Sequence, residues 1–282
     1  MNTAPSSANV VPLRSFAARG REDAEVPRIS RPLLKWFTWY SRRYLRRHFH
    51  TLRVSRASLI PAFGQTPLVI YSNHASWWDA LVGLVLKSEL FPERTAFAPI
   101  DAGQLQRYKF FRKLGFFGVE QKTRRGAVQF LRTAENILHE SNSLIFVTPQ
   151  GRFADVRERP VRFEAGLSHL AARVESAVFL PLATEFVFWE ERLPEILVRF
   201  GEPVHVGSAH TADFDAKHWN MFFEQKLAAA QEALAAEVLR REPGDFQILL
   251  RGGAGQGGVY DWWRAAKAQW RGEKFRREHG TK

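Results

Sequence analysis

The chain has 282 residues, 45% of them hydrophobic and 25% charged, enough to bury a sizeable core in one large domain or two small ones. Forty-one Lys and Arg against twenty-nine Asp and Glu leave a formal charge of +12, so an anionic partner is expected: nucleic acid, an anionic membrane surface or a phosphorylated substrate. The absence of cysteine excludes disulfides, thiolate catalysis and cysteine-ligated zinc, and no run of 18 apolar residues suggests a conventional transmembrane helix.

Residues 1–31 lack the apolar centre of a secretory signal and are expected to form a disordered arm. From Pro32 to residue 54 the pattern is that of a basic amphipathic helix. Leu33, Phe37, Tyr40, Tyr44, Phe49 and Leu52 recur at helical spacing, and Lys35, Arg42, Arg43, Arg46, Arg47 and Arg53 take much of the other side. Such a helix either lies in a membrane interface, with Trp36, Trp39 and Tyr40 toward lipid, or packs on its own domain with a solvated basic face.

The stretch Leu68-Val69-Ile70-Tyr71, fenced by Gln65-Thr66-Pro67, reads as a buried strand, and it delivers Asn73, His74 and Asp79 at its end. Helix follows over 80–86, strands over 95–98 and 116–120, and a helix over 124–140 with Val128, Leu131, Ile137 and Leu138 on its apolar side. A strand at 143–147 ends in Thr148-Pro149-Gln150-Gly151. A short helix from Ala165, strands at 177–188 and 195–200, and a long helix at 215–240 complete the series. Alternating strands and helices predict an α/β fold, a mostly parallel central sheet flanked by helices, with ligands beyond the carboxyl ends of the strands. The expected organisation is an arm (1–31), a membrane-associated or packed helix (32–54), a catalytic domain (55–241) and a Gly-rich linker with a basic aromatic tail helix (242–282). In the tail, Trp262, Trp263, Trp270 and Phe275 lie among Arg264, Lys267, Arg271 and Lys274. The literal G-x-G-x-x-G of Gly253, Gly255 and Gly258 is read as a linker, because too little chain follows to complete a dinucleotide-binding unit.

A histidine at a strand end with an aspartate five positions on makes a dyad if the chain folds back: the carboxylate holds one ring nitrogen and the other is free as a general base. Without a thiol nucleophile, the proton comes from a substrate hydroxyl. As bare spacing the pair is a weak signal, and a structural, hydrogen-bonded histidine is the plain alternative.

With these residues in view, "NHASWWDA" resembles the N-H-x-x-x-x-D motif of the glycerolipid acyltransferases, the family that includes lysophosphatidic acid acyltransferases. "GFFGVEQKTRR" (115–125) resembles that family's second block, "VTPQGRFADVRERPVRFEAG" (147–166) its third, usually F-P-E-G-T-R, and "VFLPLA" (178–183) its fourth. The resemblance implies transfer of a fatty acyl group from an acyl-CoA or acyl-carrier-protein thioester to a lipid hydroxyl, without metal or other cofactor. It makes His74 the base and Asp79 its orienting partner, with backbone N–H groups or an arginine at the oxyanion. Asn73, Arg124, Arg125, Gln150, Gly151 and Arg152 become candidate substrate-binding residues. Two departures stand out. Gln150 and Arg152 replace the third block's glutamate and threonine, which implies a neutral, hydroxyl-bearing acceptor headgroup. Glu120-Gln121 interrupt the second block, leaving Arg124 or Arg125 to serve from a shifted position. Gln150 and Gly151 could equally be turn residues, and the arginines a solvated loop. The expected partners are the lipid acceptor, the thioester and an anionic membrane surface. The expected place is peripheral, on the cytoplasmic face of a membrane. The rival reading is a non-catalytic lipid-binding module at a membrane surface. Nucleic acid is not expected, because the aromatics gather in terminal amphipathic segments and not on a strand platform that could stack bases.

Overall fold

The computed structural model describes residues 25–58, 60–207 and 214–254. Nine strands form one sheet in the order β4-β3-β5-β2-β6-β7-β1-β9, with β8 paired to β6 beside it. The strands are β1 Thr51–Ser55, β2 Leu68–Ser72, β3 Thr95–Asp101, β4 Phe116–Val119, β5 Ser143–Val147, β6 Ala177–Val187, β7 Glu195–Phe200, β8 Val204–Val206 and β9 Phe246–Arg251. Neighbours from β4 through β6 are parallel, as are β7 and β1, while β6/β7, β6/β8 and β1/β9 are antiparallel. The expected α/β architecture with a mostly parallel sheet is what the chain adopts.

Both faces of the sheet are covered, and successive side chains of β2 show why its sequence is apolar without a break. Val69 and Tyr71 join the core beneath α4 (Arg124–Leu138), α5 (Gly166–Ala171) and α6 (Ala216–Arg240). Leu68 and Ile70 join the opposite core beneath α1 (Arg31–His48) and α2 (Asp79–Leu90). All four are fully buried. A strand so enclosed presents its functional groups only at its ends. A sixth short helix, α3 (Ala102–Arg107), and a turn of tighter helix at Lys109–Leu114 connect β3 to β4.

Three expectations change. The first helix ends at His48, and residues 51–54 are strand β1, buried throughout and paired with β7 on one side and β9 on the other. Phe49 and Leu52 sit at helical spacing from Tyr44, but two sheet partners satisfy more backbone groups of Thr51–Ser55 than one more helical turn would. Residues 246–251, placed in the linker, form β9. Residues 26–30, expected to belong to an unpacked arm, lie against the body: Val26 and Ile29 pack on the core, Pro27 is buried, and Ser30 N–H donates to the Lys113 carbonyl at 2.8 Å. The tail helix expected beyond Gly258 and the first 24 residues of the arm lie outside the described residues. Among the described residues no helix is long and apolar enough to cross a membrane.

Candidate active site

Strands β2, β5 and β4 run parallel, so the segments after their carboxyl ends emerge on one edge of the sheet. On that edge, residues 73–78 after β2 meet residues 148–154 after β5. His74 Nδ1 lies 2.8 Å from Asp79 Oδ2. A carboxylate only accepts, so Nδ1 donates in this contact and Nε2 lies outside the pair. The fold-back needed for this contact is local. Asp79 opens α2, its N–H donates to the Ser76 carbonyl, and its Oδ2 also accepts the Ser76 N–H at 3.1 Å. The carboxylate thus stands at a helix N-terminus, where negative charge is favoured. The Asp79 side chain is 10% exposed and that of His74 26%, so the carboxylate is nearly buried and the imidazole reaches solvent.

The turn after β5 braces the histidine. His74 N–H donates to Gln150 Oε1 at 2.9 Å, and the His74 carbonyl accepts Ala154 N–H, also at 2.9 Å. Gly151 has φ +64°, and a Cβ there would meet Glu164 Cγ at 3.0 Å, so the turn calls for glycine on both counts. Phe153 lays its ring on the imidazole, with centroids 4.3 Å apart and planes tilted by 41°.

The sequence-derived candidates therefore separate into groups. His74, Asp79, Gln150 and Gly151 are brought together. Asn73 stands behind them, buried, with both ends of its amide committed: Nδ2 donates to the Thr184 carbonyl at 3.0 Å and Oδ1 accepts Thr184 N–H at 2.9 Å. It ties the histidine segment to β6 and presents no free polar atom to a substrate. Arg152 turns to Glu158 through a bidentate pair and not toward His74. Arg124 and Arg125 are exposed at the start of α4, whose Thr123 side chain caps Gly126 N–H. Three strand spacings separate β4 from β2, about 14 Å of sheet. Phe153, which sequence reasoning missed, occupies the position held by arginine in the F-P-E-G-T-R form of the block. Reading that block one residue further would have found it.

The other cations of the 148–165 segment are also committed. Arg157 bonds Asp155 at 2.8–2.9 Å, which holds that carboxyl well below the usual range. Arg162 reaches Glu224 at 3.2 Å, and Arg159 donates to the Val156 and Glu158 carbonyls. Glu158 is lowered, through its hydrogen bond from Arg152. Half-buried Glu185, next to Thr184, is raised by desolvation against the opposing charge of Arg159.

Helix α6 holds this segment from outside. Buried Glu224 accepts Phe163 N–H at 2.8 Å and Asn220 Nδ2 at 2.9 Å, and Gln231 Nε2 donates to the Val156 carbonyl at 3.3 Å. Glu224→Leu leaves both donors without their acceptor and should cost about 1–3 kcal/mol in a urea melt. Glu224→Gln keeps an acceptor and should cost less than half as much, since the ion pair it removes is to an exposed arginine.

The family comparison falls on this edge of the sheet. Residues 46–185 match the acyltransferase family model. The matched segment runs from the last turn of α1 to near the end of β6. It contains the His74–Asp79 pair, both turn segments and Arg124 and Arg125 of α4, whereas Glu224 and Gln231 lie outside it. Among solved structures, the chain is similar to the 1-acyl-sn-glycerophosphate (LPA) acyltransferase PlsC from Thermotoga maritima, with 16% identity, 79% of this chain and 86% of that chain covered and a TM-score of 0.49. Comparison with curated proteins gives no match.

Proposed function

We propose that the protein transfers a fatty acyl group from a coenzyme A or acyl-carrier-protein thioester to a hydroxyl of a lysophospholipid or other lipid acceptor. The observation that carries this reading is the His74–Asp79 contact within the acyltransferase segment. Nε2 of His74 takes the proton of the acceptor hydroxyl as its oxygen attacks the thioester carbonyl. The tetrahedral intermediate then collapses, expelling the thiolate, which leaves with that proton as the thiol. Asp79 holds the tautomer and stabilises the imidazolium formed in between. No metal or other cofactor enters this scheme; the thioester is a co-substrate. Arg124 and Arg125 offer exposed cations on the same edge for the anionic part of donor or acceptor. The reading is tested by acyl transfer from each thioester to a panel of lipid hydroxyls, with thiol release followed in parallel. Thiol release that is independent of acceptor, or no product with any pair, would sink it.

The same reading puts the protein at an anionic membrane surface, which would deliver the lipid. Two features support this. Trp36 and Trp39 are 55% and 58% exposed on α1, and Tyr40, Tyr108 and Phe110 are exposed beside them, with Phe37 and Phe110 in ring contact across the two segments. Exposed Arg43, Arg46, Arg47 and Arg107 lie on the same helices. Aromatic rings among arginines suit the interface between headgroups and acyl chains. Changing Trp36, Trp39 and Tyr40 to serine should release most of the protein from sedimented anionic vesicles, as should raising the salt concentration. Vesicle binding that responded to neither would rule this surface out.

A further inference from the structure

Phe153 lies against His74 and is largely exposed, and its surroundings bear on what kind of group could bind there. Phe153 is 59% exposed while its ring rests on the imidazole, which leaves aromatic surface for something else to cover. Each arginine of the 148–165 segment is engaged elsewhere: Arg152 with Glu158, Arg157 with Asp155, Arg162 with Glu224 and Arg159 with two backbone carbonyls. Two further acidic groups stand close by: Asp79 on the imidazole and Glu164 against Gly151. Gln150 spends its oxygen on the His74 N–H and adds no charge. A phosphomonoester next to the reacting hydroxyl would therefore face the negative face of a π system and several carboxylates, without a free cation from this segment. The C–H face of a polyol or sugar ring stacks on such a ring without that penalty.

Resting on the acyl-transfer reading, we infer that Phe153 is a specificity-determining residue and that the acceptor presents a neutral, hydroxyl-bearing headgroup at His74. The arrangement also revises the part expected of Gln150 and Arg152: the first braces the histidine, the second anchors its own loop, and the ring that lies on the imidazole reads the headgroup.

The test uses the full-length chain and two lipids that differ only by a phosphate, 1-oleoylglycerol and its 3-phosphate, in the same mixed micelles. Binding is followed by NMR through the His74 imidazole signal, assigned with His74→Gln and displaced by the ring current of Phe153. Transfer is followed separately with an acyl thioester. The expected result is that the neutral lipid shifts the His74 signal and is acylated faster, that Phe153→Ala weakens both by about tenfold, and that Phe153→Arg moves the preference toward the phosphate ester. Phe153 is largely exposed, so neither variant removes core packing, and an unchanged amide spectrum away from the site verifies the fold. Equal or better binding of the phosphate ester by the wild type, or selectivity indifferent to Phe153, overturns the inference. So does failure of the neutral lipid to perturb His74. If the neutral lipid binds through Phe153 yet no thioester donates to it, the acyl-transfer reading falls and the neutral-headgroup site stands.

Discussion

His74→Ala is expected to lower acyl transfer by about 10²–10⁴-fold with the fold intact. The imidazole is partly exposed at the end of β2, and its backbone, not its ring, makes the two bonds to the 150–154 turn. Truncation therefore removes the base and leaves Gln150 and Ala154 in place. Asp79→Asn should also be strongly damaging, because an amide facing Nδ1 can present its N–H₂ and favour the tautomer in which Nε2 carries the proton and cannot act as base. It also weakens the cap on Ser76 N–H at the start of α2, so part of its effect will appear in the thermal midpoint. The checking measurement is initial rate against acceptor concentration for wild type and both variants, with circular dichroism on the same samples. A His74→Ala protein that kept wild-type turnover would place the chemistry elsewhere in the molecule.

Asn73→Ala is expected to give one of the largest losses of stability for a single polar change in this chain, about 2–4 kcal/mol. The substitution removes the partners of both Thr184 N–H and Thr184 C=O, in a place where Asn73 and Thr184 are 2% and 4% exposed and water cannot replace what is lost. Asn73→Asp restores only the acceptor and sets a carboxylate against a carbonyl, so it should be no better. Activity should fall with stability, since the residue after Asn73 is the proposed base. Urea unfolding monitored by tryptophan fluorescence measures the first effect. A midpoint within 0.5 kcal/mol of wild type, by the usual scale of neutral surface changes, would show that β6 is held to the site by something other than this amide.

How far the fold was legible in the sequence depended on how local each signal was. The strands at β2, β5, β6 and β7 and the helices α4 and α6 carried their own periodicity and their own turn residues, and each forms within a few residues of the expected place. β1 did not, because Leu52 continues the spacing of the preceding helix. Its state is set by residues 195–198 and 246–251, at the far end of the sequence. β9 was obscured by the glycines that follow it. The packing of Val26 and Ile29 on the body likewise depends on a core assembled from helices and strands distant in sequence.

The candidate site divides in the same way. Sequence by itself determined the chemistry on offer: a histidine and an aspartate five residues apart after an apolar strand, no thiol, an excess of cations and a glycine where the third-block turn needs positive φ. Those are consequences of residue type and short-range spacing, which one strand and one helical turn fix between them. Only the tertiary structure decided what each polar group does with its hydrogen bonds. Asn73 became a clamp on β6, Gln150 a brace for the histidine and Arg152 the partner of Glu158, while Phe153 was left largely exposed against the imidazole. The physical reason is that a polar side chain takes whichever partner the fold brings within about 3 Å. For Asn73 that partner is 111 residues away in sequence, where no local pattern can announce it.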